Sequence, residues 1–170
     1  VSPIHGGESA IDAQGESFAN QALAALASSR KIQPQWTVHS VDDSLGRPGL
    51  YIKECFSSKW SKYIYRHFYL SLGLSLRSKQ PLFAIKMDDM VMMSVPGEAT
   101  TTVGFAMKEM AEKMGAKQSW VLGLTNGYVA YFTTPQEFDE GTYESCNSLF
   151  GRYGAQRVLG HMETLLKGLQ

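Results

Sequence analysis

The sequence predicts an α/β fold, a mixed sheet flanked by helices. Three observations carry that prediction. Short apolar runs with strand alternation take turns with stretches of helical periodicity, as layered α/β proteins require. Met87-Asp88-Asp89-Met90 sits between two apolar runs as a tight hairpin turn. With 170 residues and 44% hydrophobic content, the chain can bury one real core. No repeat or low-complexity linker interrupts it, so residues 1–170 are read as one domain piece.

Taken in order, Glu8 to Ser28 has Ile11, Phe18, Ala19, Ala22, Leu23 and Leu26 near one helical face. Gln35 to Val41 alternates as a strand, and Asp42 to Gly49 is rich in turn residues. Trp60 to Leu76 reads as a long amphipathic helix crowded with aromatics. Leu82 to Lys86 and Val91 to Val95 are the two strands of the hairpin. Ala99 to Met114 turns helical, with Gly115 where a terminal glycine cap belongs. Trp120 to Leu124 and Tyr128 to Phe132 are short strands around the Asn126-Gly127 turn. Thr134-Pro135-Gln136-Glu137 combines an N-cap, a first-turn proline and an acidic residue. Gly154 to Leu169 closes the chain as a helix that buries Val158, Leu159, Met162, Leu165 and Leu166.

Charge narrows the function classes. Sixteen basic and sixteen acidic residues cancel, so no basic field argues for nucleic acid. The most apolar stretch, Tyr63 to Leu76, is broken by Arg66, His67 and several serines, too polar for a membrane span of about 20 apolar residues. No charged-then-apolar leader opens the sequence, and its composition fits a cytosolic or an exported protein alike. Cys55 and Cys146 form neither a CxxC pair nor a disulfide framework. Packed free thiols are the expectation, with one long-range disulfide as the alternative in an exported protein.

The chemistry concentrates at two apolar segments that end in turns. Val91 to Val95 runs into Pro96-Gly97 and delivers Glu98 at the break. A carboxylate at a strand end is a common way to build a site on a rigid scaffold, although Glu98 could simply favour the start of the following helix. Zinc accepts carboxylate oxygen, and a catalytic zinc site keeps one position open. Tyr128 and Tyr131 lie three apart, so in a regular strand they face opposite sides and one alone can face a metal. Tyrosine is a rare ligand because its phenol must lose a proton from near pKa 10. Aromatic packing with an outward hydroxyl is the ordinary role of such residues. His5, His39, His67 and His161 form no HxH or HxxxH pair. His67 and His161 read as surface or packing residues, while His5 lies close to Ser2. Arg47, between Gly46 and Pro48, could hold a carbonyl or an anion. Met87, Met90, Met92, Met93, Met107, Met110 and Met114 could line a lipid groove or fill core gaps.

SVPGE (94–98), LTNGYVAYFTTPQEF (124–138) and TYESCNSLFG (142–151) together resemble the neutral (non-lysosomal) ceramidase family. The likeness is dense from about Gln80 to Gly151. It reaches the first residues, because Val1-Ser2-Pro3 resembles the family's G-D-x-S-P-N loop, with Ile4 in place of Asn. The resemblance implies the C-terminal half of a larger ceramidase-like catalytic domain. It assigns Ser2 as nucleophile, Glu98 and Tyr131 as zinc ligands with Tyr128 in reserve, and Tyr143 as a hydroxyl that polarises the substrate. It implies that zinc histidines come from a second polypeptide or an upstream half, through a precursor cleaved near Val1 or two separately encoded parts. The expected substrate is an N-acyl amide, ceramide-like or smaller, since long insertions between Gly49 and Gln80 are lacking. The alternatives are a non-catalytic subunit of the same fold that binds a partner, and a zinc-independent hydrolase.

Overall fold

The computed structural model describes residues 7–29, 31–51, 69–71 and 77–169. Two compact units emerge, Val1–Pro34 and Gln35–Gln170. The first contains helix α1 (Gly7–Ala27), where helical periodicity predicts it. Its apolar residues Ile11, Phe18, Leu23 and Leu26 are exposed, however, rather than packed.

In the second unit, β1 (Trp36–Ser44), β4 (Lys79–Met87), β5 (Met90–Ser94) and β7 (Gln118–Leu122) form a four-stranded sheet in the order β1-β4-β5-β7. β1 and β4 are antiparallel, as are β4 and β5, whereas β5 and β7 run parallel. The sheet is therefore mixed, as predicted. Asp88, at φ 50, turns the β4–β5 hairpin in the left-handed region. The parallel step from β5 to β7 needs a crossover, supplied by α2 (Thr101–Lys113). Gly115 follows α2 with φ 93, the conformation expected of a residue just past a helix end.

Alternation along the strands sends Leu82, Ala84, Val91 and Met93 to one face. There they meet Val103, Met107 and Ala111 of α2. Val158, Met162, Leu165 and Leu166 of α5 (Gly154–Gly168) complete the same core. The burial predicted for the closing helix is observed, with Leu159 partly buried against this core. Met93, Met107 and Met162 are fully buried core fillers, and Met110 and Met114 pack against them.

Three expectations are corrected. β1 continues through Asp42 and Asp43 to Ser44, because pairing with β4 down to Ser44–Lys79 outweighs local turn preference. Tyr69–Ser71 is strand β3, paired antiparallel with β2 (Gly49–Tyr51), and not helix; the rest of the segment expected as helix up to Leu76 lies outside the described residues. The segment expected as a strand from Tyr128 shortens to β8 (Tyr131–Phe132). β8 pairs in parallel with β6 (Glu98–Ala99), a two-residue strand directly after the Pro96-Gly97 break. Among the described residues, no helix is long and apolar enough to cross a membrane.

Candidate functional site

The Pro96-Gly97 bend lies against the segment that precedes β8. Val129 N–H donates to Pro96 O at 2.9 Å, Glu98 N–H to Ala130 O at 2.8 Å and Thr100 N–H to Phe132 O at 3.1 Å. The approach is so close that a Cβ on Gly97 would collide with Ala130 O. Glycine is required here by contact, not by dihedral angle. The ladder sets Glu98 opposite Tyr131.

Glu98 gathers two phenols. Tyr128 Oη donates to Glu98 Oε1 at 3.3 Å, and the Tyr131 hydroxyl also bonds the Glu98 side chain. The expectation that the two tyrosines face opposite sides fails. Ala130 has φ 59, so the chain between the tyrosines is kinked rather than extended, and both hydroxyls reach one carboxylate. The hydrogen bond to Glu98, then burial and the Glu98 charge, push the Tyr131 phenol up to about 12. Tyr128 is raised as well, chiefly by burial and then by Glu98.

Tyr143 completes the group. Its ring meets Tyr131 edge-on, with centroids 5.7 Å apart at 78°. It opens α4 (Tyr143–Cys146), which follows α3 (Pro135–Glu140). At α3 the predicted capping box is present: Thr134 Oγ1 accepts from Glu137 N–H at 3.2 Å, and Thr134 N–H donates to Glu137 Oε2 at 2.8 Å. Burial pushes the Glu137 carboxyl up, but hydrogen bonds from Thr134, Thr100 and Thr102 outweigh it and hold the group below its usual range. Tyr128 and Tyr143 are 61% and 69% exposed, so the site opens outward. Glu98 separates two clefts. One, of about 380 Å³, is lined by Tyr131, Glu137, Glu140, Thr142 and Glu144. The other, of about 720 Å³, runs past Thr101, Phe105 and Lys108 to Trp120 and Leu124.

Glu98, Tyr128, Tyr131 and Tyr143 are thus brought together. Ser2, His5 and His67 lie outside the described residues. His39 is exposed on β1, where its ring packs over Gly168, and His161 is half-buried on α5. Arg47 is exposed in the loop before β2. Cys146 is disulfide-bonded, which corrects the expectation of free thiols; Cys55, the sequence's other cysteine, lies outside the described residues. Local sequence chemistry gives Glu137 a capping role alone, and nothing near it signals the bond from Thr100, 37 residues away. Among the described residues no group of three His, Cys, Asp or Glu side chains could hold a metal ion. The donor set is instead one carboxylate and two phenols, oxygen donors that suit part of a zinc shell and leave the remainder to other residues.

Fold and site together define a mixed α/β layer whose strand-end carboxylate is met by clustered tyrosines. Residues 76–159 match the family described as neutral/alkaline non-lysosomal ceramidase, N-terminal, and over that stretch the chain is similar to it. The neutral ceramidase of Mycobacterium tuberculosis is 37% identical over 76 residues, which cover 43% of this chain and 12% of that protein. The neutral ceramidase of Drosophila melanogaster is 30% identical over 91 residues, 50% of this chain and 13% of its own length. The match thus spans about an eighth of these relatives. The crystal structure of neutral ceramidase from Pseudomonas aeruginosa superposes with a TM-score of 0.64 at 13% identity, over 89% of this chain and 31% of that one, a likeness of fold.

Proposed function

We propose that this chain is the C-terminal half of a ceramidase-type catalytic domain that hydrolyses an N-acyl amide with zinc. The meeting of Tyr128 and Tyr131 on Glu98, with Tyr143 packed edge-on against Tyr131 beside open clefts, carries the reading. Glu98 and Tyr131 would hold the metal, with Tyr128 bonding the same carboxylate and able to stand in. Bound zinc would supply a Lewis acid for the amide carbonyl and its nucleophile. Two donors are too few for a zinc shell, so histidines from the other half, in a second polypeptide or upstream, complete it.

Without metal, Glu98 orients both phenols and favours their protonated form; Tyr131 would have to give up its proton to hold zinc together with Glu98. Tyr143, exposed and braced edge-on by Tyr131, can turn its hydroxyl toward the oxyanion that develops as the amide is attacked. Ser2, or a water, is the attacking group. The cleft bordered by Phe105, Trp120 and Leu124 offers apolar surface to an acyl chain. A ceramide-like amide or a smaller one both fit these requirements.

Replacing Glu98 with Gln tests the reading in the full-length protein. The fold should be retained, while tightly bound zinc and amide hydrolysis fall together. Wild-type zinc content and turnover in that variant would remove Glu98 from the site. The exposed outer sheet face, with Val38 and Trp120, favours one second reading, a non-catalytic subunit that binds a partner. About one zinc per purified particle supports the enzyme, and none supports the subunit.

A further inference from the structure

Thr100 is the N-cap residue of α2, yet its hydroxyl makes no capping bond to its own helix. An N-cap threonine ordinarily accepts from a first-turn amide. Here the hydroxyl donates instead to Glu137 Oε2 at 2.8 Å, 37 residues away in sequence. The same oxygen accepts from Thr134 N–H at 2.8 Å, and Thr102 is a further side-chain partner of this carboxylate. Thr100 directly follows β6, which bears Glu98, and Thr134 follows β8, which bears Tyr131. One carboxylate therefore joins the exits of the two strands whose pairing sets Glu98 opposite Tyr131. Those strands are two residues long, and a pair so short has little stability of its own.

We infer that Glu137 is a positioning residue for the Glu98–Tyr131 pair, clamping the start of α2 to the start of α3 so that β6 and β8 stay in register. The inference rests on reading Glu98 and Tyr131 as one site, but the clamp is geometric and can be measured without turnover. Helix capping is the competing role, and the contacts separate the two. The capping box at α3 closes between Thr134 and Glu137 with no contribution from Thr100. Thr100→Val, nearly isosteric, deletes the bond across the strands and leaves that box intact.

The test compares Thr100→Val, Glu137→Ala and Glu137→Gln in the full-length protein. Hydrogen exchange is followed at the Glu98 and Thr100 amides, the donors that stitch β6 to β8, in metal-free protein. Zinc affinity is measured by chelator competition. Thr100→Val and Glu137→Ala should speed exchange at both amides by about tenfold or more, with β5 still protected. They should weaken zinc binding by about 10–100-fold, as loss of a residue that orients a metal ligand does. Glu137→Gln, whose amide oxygen can accept from both donors, should restore both readouts. Unchanged exchange in Thr100→Val, or a Gln variant as damaged as the Ala variant, would overturn the clamp. If Glu98→Gln leaves zinc and turnover intact, the metal-site reading falls, and the two amides alone then uphold or overturn the clamp.

Discussion

Tyr128 and Tyr131 show how one backbone angle redirects the chemistry of a site. The alternation rule separates residues three apart onto opposite faces, and it fails here because Ala130 sits at φ 59. Glu98 was legible as a strand-end carboxylate. The two-phenol arrangement around it was not, since an alanine at position 130 gives no signal of the left-handed conformation it adopts. The geometry changes what substitution should do. Tyr131→Phe removes a proposed ligand and should cost about 10–100-fold in zinc affinity or kcat/KM. Tyr128→Phe, silent if the tyrosines faced apart, removes a hydrogen bond to a carboxylate and should cost about tenfold. Chelator competition and steady-state kinetics on both variants measure this. If Tyr128→Phe is the more damaged of the two, the ligand role passes to Tyr128.

Among the elements, those marked by local chemistry were read directly from the residues. Thr134, Pro135 and Glu137 form the expected cap, and Gly115 takes the expected place after α2. Elements fixed by distant partners were not. β1 is extended past two aspartates by its register with β4, and β3 exists through pairing with β2. β6 is the extreme case, a two-residue strand defined by its pairing with β8. Gly97 decides whether the two segments can approach so closely, because a Cβ there meets Ala130 O and the Phe132 ring. Backbone cannot yield as a flexible side chain does, so Gly97→Ala should destabilise the fold by about 1–3 kcal/mol, the usual cost of overpacking. It should also lower zinc affinity more than Gly104→Ala, which adds a methyl group to open space on α2. Denaturant melts of the two variants check the comparison. Equal stability would mean that the bend shifts to accept the methyl group.

At the scale of the molecule, the sheet has two unlike faces. α2 and α5 bury one of them around Ala84 and Met93. On the other, the register lines up Val38, Ile85, Met92 and Trp120 across all four strands, an unbroken apolar row. Val38 and Trp120 at its ends are 59% and 56% exposed. The mixed α/β class was legible because periodicity is local, whereas the identity of the layer that covers this row is not encoded in the row itself. Under the proposed two-part reading, the occupant is the other half of the same catalytic domain. Contiguous exposed apolar surface beyond a few hundred Å² drives association, so residues 1–170 expressed alone should self-associate and bind ANS. Val38→Lys with Trp120→Lys should shift that population toward monomer in analytical ultracentrifugation. Both side chains are more than half exposed, so the melting temperature should stay within a few degrees. If the proposed other half covers this row, the same pair of lysines would be buried beneath it, and there they should lower stability and zinc retention together. A monodisperse, zinc-loaded, active monomer of residues 1–170 would end the two-part model.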